Sequence, residues 1–244
     1  MKLLVAADAA DAARRAAERI ETALRRGLRA HAAAAVALSG GHTPGPMLRE
    51  LFGRPLAWDR IRVFQVDERV APAGSRERNR TLLEESARDG APGALGALRP
   101  IPLDGRAPEQ AAAAYEALLL REVPRGFDAV HLGLGADGHT ASWPPGDPVL
   151  AEVGEGARRV AVVGPYRGRI RITLTPRAVA ESARVVFLVV GAAKAPALER
   201  LLRDDPALPA SRVPRRRTVV VADPEAASFR AGPRSPGRGR DRAR

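Results

Sequence analysis

The chain has 244 residues, of which 45% are hydrophobic and only 4% aromatic, so its core must be built from small aliphatic side chains. It has no cysteine, which excludes disulfides, a thiol nucleophile and any thiolate metal site. The net charge of +12 raises a nucleic-acid reading, but residues 230–244 alone hold six arginines, and Lys2 and Lys194 are the only lysines, so the excess reads as arginine-rich, solvated surface.

The first residues, Met1 to Ala7, resemble a secretion signal only superficially, because Asp8 interrupts an apolar run far short of the roughly 7–15 residues such a signal needs. No stretch approaches the roughly 18–20 apolar residues of a membrane span, and a cytoplasmic protein is expected. From Asp8 to Arg29, alanines with Ile20, Leu24 and Leu28 recur at helical spacing behind Asp8 as N-cap. Ala33–Leu38 reads as a buried strand, Pro44–Phe52 as a helix and Ile61–Val66 as a strand. An irregular stretch, Val70–Arg78, leads into a helix from Asn79; Pro108–Glu122 is helical and Phe127–Leu134 a strand. Strands follow at Arg159–Val163, Arg169–Thr173 and Val185–Val190, then a helix over Ala192–Leu202 and a last strand at Thr218–Ala222. Strands alternating with helices predict an α/β fold with a mostly parallel, open sheet covered by helices on both faces, in one domain over residues 1–229. Residues 230–244 have no periodicity and are expected to form a disordered tail.

Four polar clusters each follow a predicted strand. They are Ser39-Gly40-Gly41-His42-Thr43, Asp67-Glu68-Arg69, Gly135-Ala136-Asp137-Gly138-His139-Thr140 and Gly191-Ala192-Ala193-Lys194. Open α/β sheets bind ligands beyond the carboxyl ends of their strands, so all four can line one crevice. The first cluster reads as a phosphate cradle. Gly40 and Gly41 let the backbone approach an anion, Ser39 and Thr43 add hydroxyls, and a helix opens behind them. Lys194 would add a positive contact.

Gly133-Leu134-Gly135-Ala136-Asp137-Gly138 matches a dinucleotide-binding pattern letter for letter. The match is rejected because Pro144 and Pro145 would break the helix that should follow. Asp137 would also face a pyrophosphate, and Glu155, about 20 positions on, lies in a glycine-flanked loop instead of closing a strand. His139 is the best candidate for proton transfer, since imidazole titrates near neutrality. His31 stands at a helix end, His131 inside a strand and His42 in the glycine loop. No metal-ligand spacing and no nucleophile elbow occur, so a base-activated water is preferred to a covalent route, with no cofactor.

In this order the blocks Ser39–Pro44, Asp67–Arg69, Gly133–Ser142, Arg171–Thr175 and Gly191–Ala195 resemble the 6-phosphogluconolactonase family, within the wider group that includes glucosamine-6-phosphate isomerase/deaminase. The resemblance implies a metal-independent hydrolase of the oxidative pentose phosphate pathway acting on 6-phospho-D-glucono-1,5-lactone. It implies His139 as the base, with Asp67 and Arg69 beside it in the pocket; the mechanism expected from this set has Arg69 stabilising the oxyanion and Asp67 orienting Arg69 or His139. Ser39, Gly40, Gly41, Thr43, Gly138, Arg171 and Lys194 would form the substrate- and phosphate-binding set, with Arg167 and Arg169 as rivals to Arg171. The small-molecule substrate would be the partner, with no nucleic acid or membrane, and the chain a monomer or weak homodimer. Three departures stand out: His42 where serine or arginine is commoner, Arg78 where serine usually precedes the asparagine matched by Asn79, and Trp143-Pro144 in place of Leu-Phe. The deaminase subgroup usually continues the Gly-His step with Ile-Ala-Phe-Asn-Glu and has tyrosine at Arg69; here the step continues Thr140-Ala141-Ser142-Trp143. A non-catalytic sugar-phosphate sensor is the alternative of another class.

Overall fold

The structure is a computed structural model that describes residues 1–41, 43–146 and 158–231. His42, Glu155 and the expected tail from residue 232 onward lie outside the described residues.

The runs Ala34–Leu38 (β2), Val185–Val189 (β9) and Thr218–Ala222 (β10) are buried at every position. Such uniform burial belongs to strands covered on both faces. With Lys2–Val5 (β1), Ile61–Gln65 (β3), Leu98–Arg99 (β5) and Ala129–Gly133 (β6) they form a seven-stranded sheet in the order β1-β10-β9-β6-β2-β3-β5. Every pairing in it is parallel.

Alternate side chains serve two cores, as the pleat requires. Val186, Leu188, Val219 and Val221 face the helices Ala9–Ala30 (α1), Gly45–Phe52 (α2) and Asn79–Gly90 (α3). Phe187, Val189, Val220 and Ala222 face Pro108–Glu122 (α4), Pro176–Ala180 (α5) and Ala195–Leu202 (α6). Asp8 caps α1 as expected, accepting from the Asp11 amide at 2.7 Å.

The chain leaves β2 towards β3 on one side, while β6 leads to β9 on the other, so a crevice opens where these neighbours diverge. A second, antiparallel sheet lies beside it in the order β4-β8-β7, formed by Asp67–Arg69 (β4), Val160–Tyr166 (β7) and Arg169–Leu174 (β8). Val66 joins the two sheets: its amide donates to the Leu38 carbonyl at 3.0 Å, and its own carbonyl accepts from Leu174 at 2.8 Å.

β1, β4, β5 and α5 have no counterpart among the predicted elements. They span two to five residues, too few for a periodicity to register. The helix expected from Ala192 begins as a 3-10 turn, Ala192–Lys194, before α6. Among the described residues no helix is long and apolar enough to cross a membrane.

Candidate active site

Because β2, β3, β6 and β9 run parallel, the segments leaving them emerge on one edge of the sheet. The His139 loop is the tightest. The Gly135 amide donates to the His139 carbonyl at 2.8 Å, the Gly138 amide to the Gly135 carbonyl at 3.0 Å, and Thr140 Oγ1 to the Gly133 carbonyl at 2.8 Å. The glycines have particular reasons. Gly138 has φ +86°, and a Cβ there would meet Leu208. A Cβ on Gly135 would sit 2.0 Å from His139 Nδ1 and 2.4 Å from Asp137 Oδ1. Over residues 139–146 the backbone is turn and loop, with no helix. The glycine spacing thus shapes a histidine loop.

His139 Nδ1 lies 2.5 Å from Asp137 Oδ1, and the His139 amide donates to the same oxygen at 3.2 Å. Tyr166 OH donates to Asp137 Oδ2 at 2.6 Å, and Arg167 pairs with that oxygen at 3.1 Å. Burial alone would raise Asp137, but its donors Tyr166 and His139 outweigh it and hold the carboxylate well below the ordinary range. An ionised carboxylate only accepts, so Nδ1 carries the proton and Nε2 is left as the basic nitrogen. Burial also lowers the imidazole pKa, partly opposed by Asp137, which keeps His139 neutral and able to take a proton.

Asp67 is only 5% exposed. Its Oδ2 accepts from Ser142 Oγ at 2.6 Å, and its Oδ1 and carbonyl accept from Asn79 Nδ2 at 3.1 and 2.9 Å. The carboxylate hydrogen-bonded to His139 is Asp137; Asp67 reaches the imidazole only through its field. Asn79 packs against Gly40, where a Cβ would fall 2.4 Å from its side-chain oxygen. Gly40, Asn79, Asp67 and Ser142 therefore join the first three clusters. Glu68 fixes Asn79 in turn. Buried at 1% exposure, it accepts from the amides of Asn79 and Arg80 at 2.7 and 2.9 Å, at the start of α3. Arg69 N and Gln65 Nε2 fill its other acceptor sites at 2.8 Å. Burial still raises its pKa against these donors.

The cations sort themselves by their partners. Arg169 is held bidentately by Glu77 at 2.8 and 3.0 Å, and Arg69 donates to the Glu77 carbonyl at 2.7 Å. Arg171 is buried and makes no ion pair among the described residues. Its Nε donates to the Tyr166 carbonyl at 3.3 Å and its guanidinium lies 5.1 Å from the centroid of that ring. Burial lowers its pKa, with Asp67 opposing. Lys194 is likewise lowered by burial and sits in the fields of Asp137 and Arg167. Ser39 differs from expectation: its hydroxyl donates to the His131 carbonyl at 3.0 Å, inside the fold. Thr43 is exposed, and Gly41 has φ +104° with open space where a Cβ would be.

Two departures find structural roles. Arg78 donates to the Ala71 carbonyl and pairs with Asp104, both at 2.7 Å, pinning the irregular loop before α3. Trp143 is fully buried and donates to the Leu174 carbonyl at 2.7 Å, tying the histidine loop to β8. A cavity of about 800 Å³ opens at the opposite edge of the sheet, beside Arg26, His31, Asp128 and Arg184, and contains none of these groups. No cluster of three metal-ligating side chains occurs among the described residues.

Residues 7–221 match the family model described as glucosamine-6-phosphate isomerases/6-phosphogluconolactonase. The chain belongs to this family. Within it, a 6-phosphogluconolactonase of Synechocystis is 38% identical over 169 residues, 67% of this chain and 69% of that one. A 6-phosphogluconolactonase of Mesorhizobium japonicum is 33% identical over 198 residues, 79% of this chain and 82% of that one. The crystal structure of 6-phosphogluconolactonase from Thermotoga maritima superposes with a TM-score of 0.78 at 29% identity, covering 91% of this chain and 98% of that chain.

Sequence reasoning weighed Asp137 only against a pyrophosphate and passed over it as the partner of His139, although a carboxylate two residues before a candidate base was a readable signal. Tyr166 carried no such signal. It reaches the loop through the β7–β8 hairpin, 27 residues on.

Proposed function

We propose that the chain hydrolyses 6-phospho-D-glucono-1,5-lactone to 6-phospho-D-gluconate in the cytoplasm, with His139 as general base. The observation that carries this reading is the Asp137–His139 pair: Nδ1 is held at 2.5 Å by a carboxylate, which leaves Nε2 as the base. Phosphate docks against Arg171 and Lys194, with Gly40, Gly41 and Thr43 as the further contacts. Arg171 is favoured over Arg167 and Arg169 because those two already hold carboxylates.

Nε2 takes a proton from water as the oxygen attacks C1, and the carbonyl electrons move onto the oxyanion. Arg69 stabilises that charge. When the oxyanion collapses, the bond from C1 to the ring oxygen breaks and His139 returns the proton to that oxygen, leaving a carboxylic acid that ionises. General-base catalysis contributes about 10²–10⁴-fold and a well-placed oxyanion donor about 10²–10³-fold. Asp67, with its oxygens bound to Ser142 and Asn79, frames the pocket and joins β4 to the histidine loop.

The test follows acid release from freshly prepared lactone against its spontaneous opening, beside ammonia release from glucosamine-6-phosphate. Accelerated acid release without ammonia supports the lactonase. Ammonia release would assign the related deaminase chemistry, and binding of 6-phosphogluconate without acceleration would make the protein a sensor.

A further inference from the structure

We propose that Tyr166 is a positioning residue of this site, its hydroxyl locking Asp137 against His139 while its ring carries Arg171. The proposal rests on the lactonase reading for its kinetic consequences, but the coupling itself can be tested without substrate.

The placement begins with local backbone chemistry. Tyr166 and Arg169 are paired across the end of the β7–β8 hairpin, and Arg167 and Gly168 between them have φ +50° and +75°. Two consecutive positive φ values make the tight turn that suits the twist of antiparallel strands. A register irregularity between Val163 and Tyr166 breaks the ladder just before it, and such bulges re-aim side chains. Tyr166 is thereby turned toward the histidine loop, not along the strand.

There it touches both halves of the machinery. The hydroxyl lies 2.6 Å from Asp137 Oδ2 and 3.2 Å from His139 Nδ1. Its ring meets the imidazole edge-on, with centroids 5.6 Å apart and an interplanar angle of 71°. Arg171 and Arg167 lie over the tyrosine ring at 5.1 and 5.3 Å. Burial and the neighbouring Asp137 push the phenol up to about 12, so it remains a donor across the working range.

By donating to Oδ2, Tyr166 withdraws charge from the carboxylate that faces Nδ1. Asp137 then orients the imidazole without holding a proton on it too strongly, and Nε2 stays available as a base. The charged and titratable groups around His139 are Asp137 in its own loop, Tyr166 and Arg167 on the hairpin, and Asp67 on β4. Lys194 and Arg171 act one step further out, on Asp137 and on Tyr166. Removing the hydroxyl leaves Arg167, at 59% side-chain exposure, as the other partner of Oδ2. The imidazolium is then favoured and the base titrates at higher pH.

The test compares Tyr166→Phe and Tyr166→Leu with the wild-type enzyme. The titration of the His139 ring is followed by NMR, its resonance assigned by its loss in His139→Asn. Tyr166→Phe should move that midpoint upward by about half a unit or more and move the acid limb of kcat/KM the same way. Turnover should fall about tenfold, the worth of one hydrogen bond to a charged group, with KM nearly unchanged because the ring remains. Tyr166→Leu should also raise KM, since Arg171 loses its platform. An unmoved His139 midpoint in folded Tyr166→Phe overturns the proposal, even in an active lactonase. A shifted midpoint in a protein that leaves the lactone untouched upholds the coupling and rejects the lactonase reading instead.

Discussion

Replacing Gly135 by alanine tests the construction of the histidine loop. The backbone at Gly135 is not in the positive-φ region, so alanine is conformationally allowed there. The obstacle is spatial. The new Cβ would lie 2.0 Å from His139 Nδ1, 2.3 Å from its Cε1 and 2.4 Å from Asp137 Oδ1. Ordinary carbon contacts need about 3.5–4.0 Å, so the imidazole must retreat by more than 1 Å, and the 2.5 Å bond to Asp137 breaks. Misplacing a catalytic group by about 1 Å costs on the order of 10²-fold in rate, while overpacking costs about 1–3 kcal/mol of stability. Gly133→Ala is the control, because a Cβ there finds nothing within 4 Å. Steady-state lactonase kinetics beside thermal denaturation separate the two effects. The expected result is Gly135→Ala folded with turnover reduced about 10²-fold and Gly133→Ala near wild type. Equal activity in both variants would refute the proposed geometry.

Arg171→Ala should raise KM about 10–100-fold, from the roughly 1.5–3 kcal/mol that a charged hydrogen bond contributes, with turnover changed much less. Arg169→Ala, which removes a guanidinium bonded to Glu77, should leave KM within a few-fold; the reverse order would reassign the phosphate contact. His139 itself predicts a pH profile: its lowered pKa places the acid limb of kcat/KM below the ordinary histidine range, and a limb above that range would contradict the burial argument. Buried His131 gives a stability prediction. Both ring nitrogens lack hydrogen-bond partners among the described residues, and burial pushes its pKa down to about 3. The unfolded chain binds a proton near pH 6.5, at the ordinary histidine value, and the folded chain does not, so stability is full above that pH and declines as pH falls towards 3. The loss should total a few kcal/mol on the order of the linkage limit, and urea melts of His131→Leu should show a flatter acid dependence; an unchanged slope would remove His131 as the cause.

The five inner strands of the main sheet were legible because they are largely apolar runs, such as Val185–Val189, that stop at glycine or polar residues, whereas its edge strands β1 and β5 were too short to read. The His139 loop was legible for the same reason: its polarity begins where an apolar run ends. Asp67–Arg69 read only as a polar cluster after a strand because three polar residues have no pattern, and only pairing with β8 makes them a strand. The Asp67–Ser142 bond joins residues 75 apart, and the Tyr166 contact depends on a register irregularity, neither of which leaves a trace in spacing. The Ser39 hydroxyl, 7% exposed, bonds to the carbonyl of His131 on the neighbouring strand, a contact between residues 92 apart that spacing does not reveal.

The most direct measurement is single-turnover and steady-state hydrolysis of fresh lactone by His139→Asn. Asparagine keeps a donor beside Asp137 and removes the basic nitrogen. The account predicts turnover lower by about 10²-fold or more, with KM within a few-fold of wild type. Near-normal turnover in a folded His139→Asn protein would contradict it.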